Sequence, residues 1–153
     1  MSEDSVELVK RTLAALQRAL EAYWRDPRPP LPAYDDGELW PEWEEWFALV
    51  HEDIEWRTVF VGDTFHGHRD CVRVWNDFLR WWRDYRVTLE EIEDLGGGHV
   101  FMALTVIGQP KETDARVSTH FYSLASVRDA QVARLAEYTS RDDALEQARQ
   151  LQG

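Results

Sequence analysis

Apolar residues recur along this chain with two different periods, and the points where the period changes divide it into elements. Over residues 2–25, Val6, Val9, Leu13, Leu16, Leu20 and Trp24 fall three or four apart, the spacing of one helix face. Asp4 or Ser5 can cap this helix, with Glu7 placed for a capping box with Asp4. The run DPRPPLPAYDDG at 26–37 stops it, because proline lacks the N–H that a helix interior needs, and predicts a loop. Helical spacing resumes in PEWEEWFALV at 41–50, with proline in the first turn. Trp43, Trp46, Phe47 and Val50 share one face there, either as core packing or as a lid over a pocket.

EDIEWRTVFV at 52–61 alternates like a strand, and residues 68–83 return to the helical period with Val72, Trp75, Phe78, Leu79 and Trp82 along one stripe. Four strands follow near 85–94, 99–109, 115–127 and 132–139. LGGG at 95–98 turns the first pair and RDAQ at 128–131 the last. RDDALEQARQ closes the chain as a short helix. Helices followed by an antiparallel meander predict an α+β fold with helices on one face of a sheet, and 153 residues suit one domain. In VFMALTVIG, Val100, Met102, Leu104 and Val106 face one way, and Phe101, Ala103 and Ile107 the other. A strand apolar on both sides needs cover on both. The helices supply one cover, and a second copy of the chain is the economical source of the other, which predicts a homodimer through the sheets.

Charge narrows the function. The net charge of -12, from 29 acidic and 17 basic residues, repels phosphate backbones and anionic membranes, so neither nucleic acid nor membrane is an expected partner. The single Cys71 cannot form an internal disulfide, and no signal-like or membrane-spanning run is evident, which together predict a cytoplasmic protein. Eight tryptophans raise the prospect of a pocket for a hydrophobic small molecule.

FHGHRD at 65–70 suggests a metal through His66 and His68, but no third ligand is near in sequence, and only His51 or His120 could come round in space. Gly67 is the more informative residue, because the chain must turn there from strand to helix, and Asp70 then falls in the helix's first turn. Neither a metal nor a cofactor is expected.

The closing segment SVRDAQVARLAEYTSRDDALEQA, with its charged turn, alternating strand ending in an acid-aromatic pair and short alanine-leucine helix, resembles the SnoaL-like proteins of the nuclear transport factor 2-like superfamily. FHGHRDCVRVWNDFL fits that family's glycine between first strand and long helix, although Ala130 stands where the family mostly has glycine. The resemblance covers about 1–24 and 50–150, treats the chain as one domain over 1–153, and leaves 26–47 as an atypical Pro/Trp-rich insertion.

The resemblance implies a cone-shaped, curved antiparallel sheet whose concave face, roofed by the N-terminal helices, holds an apolar pocket. It places Glu137 where the limonene epoxide hydrolase branch keeps a pocket carboxylate. By alternation Leu135 and Ala133 then face the same side, with Thr119, Phe121 and Ser123 on the next strand, Met102, Leu104 and Val106 beyond, and Arg57 and Val59 on the first strand. Trp24, Trp75, Phe78 and Trp82 are the expected helix contributions.

Glu137 is the leading acid-base candidate, since burial disfavours its charged form. A solvated strand-end residue or a structural pair with Arg57 are the competing readings. Arg57 can fix a carboxylate or hold Glu137 ionised, or be a surface arginine. A register slip of one residue would instead bring His120 into the pocket as the acid-base group.

Epoxide hydrolysis in this family needs an arginine and an aspartate where this chain has Leu104 and Val106, so it loses support. Ketosteroid isomerisation finds only loose matches in Tyr23 and Asp63. Polyketide cyclisation asks least, one acid-base group and an apolar cavity, and fits best. The expected function is a cofactor-independent, general acid-base enzyme of cyclase or isomerase type, or else a non-catalytic binding or dimerisation module.

Overall fold

The computed structural model describes residues 2–25, 41–59 and 63–152. The loop expected at 26–37 and the last two residues of the strand expected at 52–61 lie outside these. Four helices, α1 (Ser2–Arg25), α2 (Glu44–Leu49), α3 (Gly67–Trp81) and α4 (Arg141–Gln152), accompany six strands. The strands are β1 (Val50–Arg57), β2 (Thr64–His66), β3 (Trp82–Gly96), β4 (His99–Pro110), β5 (Val117–Arg128) and β6 (Gln131–Tyr138). A 3-10 turn, Pro41–Trp43, leads into α2.

The strands form one open sheet in the order β2-β1-β6-β5-β4-β3. Its expected antiparallel character needs one correction. β3 to β6 form the predicted meander, but β1 runs parallel to β6, so the sheet is mixed. The meander carries the chain back to the first strand, and β6 arrives there pointing the same way as β1. The three-residue β2, too short for a period to show, pairs antiparallel with β1.

α1 and α3 lie on the inner face of the sheet. Of the predicted α3 stripe, Val72, Trp75, Phe78 and Leu79 enter the core, each stabilising the fold by roughly 1.5–3 kcal/mol relative to exposure, whereas Trp82 lies beyond the end of the helix as the first residue of β3. α3 starts at Gly67, whose φ of +80° is left-handed, and a Cβ there would stand 3.2 Å from the Glu52 carbonyl oxygen. Asp70 accepts the N–H of His66 at 3.0 Å, so the carboxylate closes the start of the helix.

The outer face has its own cover. α4 lays Ala144 and Ala148 on Phe101, Ala103, Leu124, Ala136 and Tyr138. The Arg141 guanidinium sits over the Phe101 ring at 5.3 Å while reaching Glu91 at 2.8 Å. Much of the second apolar face assigned from sequence to a partner subunit is therefore covered from within the chain. Ile107, 37% exposed, remains uncovered at the other end of that face, while Val117, opposite Gly108, is 40% exposed at the end of the inner face.

Candidate functional site

Between the inner sheet face and the helices lies a cavity of about 630 Å³, within the range of small-molecule sites. Val9, Leu13 and Leu16 of α1 and Val74, Trp75 and Phe78 of α3 line it, with Trp46 of α2 beside them. The sheet contributes Ile54, Trp56 and Thr58 from the β1 side, Tyr85 and Val87 from β3, and Met102 and Leu104 from β4. Phe121, Ser123 and Ala125 of β5 and Val132, Leu135 and Glu137 of β6 line it as well. Aromatic rings dominate one end. Trp75 packs at centroid distances of 5.4 Å on Trp56, 5.8 Å on Trp46 and 5.6 Å on Phe78, and Tyr85 stands edge-on to Phe78 at 4.3 Å.

Glu137 is 6% exposed. The register Ser123↔Glu137, together with the partners of Leu124 and Phe121, sets its side chain inward. Its donors come from the end of β1 and the residues just after it, which the parallel pairing brings alongside β6. The Trp56 indole N–H donates to Oε2 at 3.3 Å and the Val59 backbone N–H to Oε1 at 3.2 Å. Thr58 adds a side-chain hydrogen bond.

Burial pushes the Glu137 carboxyl up to about 7, against the opposing pull of the Val59, Thr58 and Trp56 hydrogen bonds. Tyr85 is pushed above the usual phenol range by its burial first and by the Glu137 charge second, so its hydroxyl stays protonated. Ser123 Oγ and Trp75 Nε1 are buried without a hydrogen-bond partner.

Of the residues expected from sequence, Glu137, Trp75, Phe78, Trp82, Met102, Leu104, Phe121, Ser123 and Leu135 line this cavity. Five do not. Arg57 is on the opposite face of the sheet, its guanidinium 5.3 Å from the Tyr138 ring centroid, because alternation turns Ile54, Trp56 and Thr58 inward and their neighbour outward. Val59 follows the end of β1 and reaches Glu137 through its backbone only. Val106 shares the inner face of β4 but is buried in the core beyond the cavity. Thr119, its partner on β5, is exposed near the start of that strand. Trp24, near the C-terminal end of α1, packs edge-on to Tyr23.

Ala133 is also displaced. A bulge between the Ser126↔Arg134 and Val127↔Val132 pairs makes it the extra residue on β6, and Val132 takes the inward place. The slipped register that would bring in His120 does not occur. His120 is exposed on the outer face, with Nδ1 3.0 Å from Thr105 Oγ1. The loose isomerase matches do not meet at the cavity either: Tyr23 is a core residue, and exposed Asp63 accepts the Thr58 N–H through its backbone oxygen.

His68 Nε2 lies 2.8 Å from the Val50 carbonyl oxygen, its ring edge-on to Phe47, and His66 is exposed at the start of α3. Among the described residues no three histidine, cysteine, aspartate or glutamate side chains gather as a metal site. Sequence reasoning overlooked Trp56, Thr58 and Tyr85. The I-x-W-x-T alternation of 54–58 held the signal for the first two.

A family model for the SnoaL-like domain matches residues 33–135. The chain belongs to the SnoaL-like domain family. Its fold is that of solved nuclear transport factor 2-like structures. One is TerC co-crystallised with polyporic acid, with 14% identity over 95% of this chain and 98% of that one, at a TM-score of 0.65. Another is an epoxide hydrolase resembling limonene epoxide hydrolase from M. tuberculosis, with 15% identity over 97% and 92% of the two chains and a TM-score of 0.63. A third is a nuclear transport factor 2-like protein of unknown function from Burkholderia pseudomallei K96243, with 11% identity over 89% and 95% and a TM-score of 0.61. No curated protein matches the chain.

Proposed function

We propose that this protein binds a hydrophobic small molecule in the cavity and acts on it by general acid-base chemistry at Glu137, as a cofactor-independent enzyme of cyclase or isomerase type. One observation carries the reading: a buried carboxyl group poised at about 7 lines a mostly apolar cavity. A group with that affinity for protons both accepts and returns one near neutral pH. The Trp56, Thr58 and Val59 donors fix the carboxylate so that it cannot swing away between the two steps. Tyr85, kept neutral, is a hydrogen-bond donor for negative charge that develops on the substrate. Epoxide opening has less support, because Leu104 and Val106 occupy the places on β4 where that chemistry needs charged groups.

The same reading keeps the protein in the cytoplasm and pairs two copies through the uncovered end of the outer sheet face, where Ile107 is exposed. Among the described residues no helix is long and apolar enough to cross a membrane. Light scattering on the purified chain tests the pairing, and a monomer would remove it.

The function is tested by native mass spectrometry for co-purifying organic molecules, followed by incubation of any recovered compound with the wild-type chain and with Glu137→Gln. Conversion by the wild type that Glu137→Gln abolishes while still binding supports the enzyme. Binding by both without conversion by either leaves a non-catalytic binding module.

A further inference from the structure

We infer that the cavity takes an organic cation, a tertiary or quaternary amine on a hydrophobic body, its charged nitrogen held between the Glu137 carboxylate and the faces of the neighbouring indole rings. The inference takes from the reading above only that the cavity binds small molecules, not that Glu137 turns them over.

The hydrogen bonds around Glu137 suit an anion. The Trp56 indole N–H and the Val59 backbone N–H can only donate, and each already occupies one of the two carboxylate oxygens. A neutral carboxyl group would bring a hydroxyl that needs an acceptor, which these two do not offer, and the third partner, the Thr58 side chain, favours the charged form as they do. The surroundings are built for a carboxylate, while its burial in an apolar cavity makes an unbalanced negative charge costly.

Among the described residues the lining supplies little balancing charge, and Asp77 adds a second carboxyl group to it. Among the described residues that line the cavity, the only basic side chain is Arg73, which is 69% exposed and lies 3.5 Å from Asp70 on its own helix. Glu137 therefore has donors but no counter-ion, and a cationic ligand provides one.

The walls fit the same ligand. Trp46, Trp56 and Trp75 cluster with centroids 5.4 to 6.4 Å apart. The electron-rich faces of such rings attract a cation, most strongly where water is excluded. The chain's net charge of -12 draws cations toward the molecule before they reach the site. A neutral hydrocarbon of the same shape gains the apolar contacts alone.

A matched pair of probes tests this. Benzyltrimethylammonium and neopentylbenzene share one shape and differ by one charge. Their binding to the full chain is followed by tryptophan fluorescence and ligand-observed NMR at about pH 8, where most of the Glu137 population is ionised. The cation is expected to bind about tenfold tighter or more, and Glu137→Gln is expected to bring it down to its isostere.

Equal or tighter binding of neopentylbenzene by the wild type would overturn the inference and leave an apolar pocket standing. A cation preference undiminished in Glu137→Gln would overturn it too, by placing the charge elsewhere. If neither probe binds, the small-molecule reading of the cavity falls together with the inference.

Discussion

The Trp56 indole nitrogen stands 3.3 Å from Glu137 Oε2, joining two strands whose residues are 81 positions apart in sequence. Trp56 is thus both a wall of the cavity and a donor that restrains the carboxylate's affinity for protons. Trp56→Phe keeps an aromatic ring and removes the N–H. A hydrogen bond to a charged group contributes about 1.5–3 kcal/mol, so the Glu137 carboxyl is expected to rise by roughly one unit or more. Carbon-detected NMR titration of the glutamate side chains checks this, and an unmoved Glu137 resonance would remove Trp56 from the restraint.

Glu137 also ties stability to pH. Its proton affinity in the folded chain lies above the ordinary value of 4.5, at about 7. Between those two values the folded state holds more protons than the unfolded one, so the contribution is complete below about 4.5 and is lost as pH rises through about 7. The loss is on the order of 3 kcal/mol. Urea unfolding at about pH 5 and pH 8 should show this fall in the wild type and its absence in Glu137→Gln. Parallel curves for the two proteins would contradict it.

Gly67→Ala forces a Cβ into a left-handed conformation and toward the Glu52 carbonyl oxygen. A cost of about 1–2 kcal/mol follows from the backbone alone. Thermal unfolding measures it, and an unchanged midpoint would mean that the junction between β2 and α3 relaxes freely.

Arg57→Ala separates the two faces of β1. The guanidinium contributes to the outer surface through the Tyr138 ring, so a loss of about 0.5–1 kcal/mol in stability is expected. Ligand affinity in the cavity should stay as it was. A large loss of affinity would show that Arg57 reaches the pocket after all.

Cys71 is buried on the inner side of α3, and burial, aided by the Asp70 charge, pushes its thiol up to about 12. The thiolate is the reactive form. Labelling by a thiol reagent should therefore follow opening of the fold and be slow under native conditions. Rapid labelling of the native chain would contradict the packing of α3.

The elements were legible wherever a period ran long enough. The stripe from Val72 to Leu79 named α3, and alternation grouped Glu137 with Leu135, Ser123 with Phe121, and Leu104 with Met102, while the family resemblance said that these face the cavity. Alternation says which residues share a face but not which face is inside. On β1 the face implied by the resemblance, that of Arg57 and Val59, is the outer one, and the apolar Ile54 and Trp56 occupy the inner one. The bulge at Ala133 was invisible because one extra residue leaves no mark in composition. Thr119 and Val106 have the right face but the wrong position along their strands, a distance that depends on where the helices cross the sheet. The parallel pairing of β1 with β6 is a long-range choice that no local pattern records.

That pairing also sets an order of events. The hydrogen-bonded groups of the site lie about eighty residues apart, the acid on one side and its donors on the other. As the chain leaves the ribosome, Trp56, Thr58 and Val59 emerge long before Glu137, and the strands from β3 to β5 are made in the interval. Local contacts form early and distant ones late. The cavity's buried carboxyl group is thus one of the last parts to arrive, and a chain stopped short of it would have the donors and no acid for them to hold.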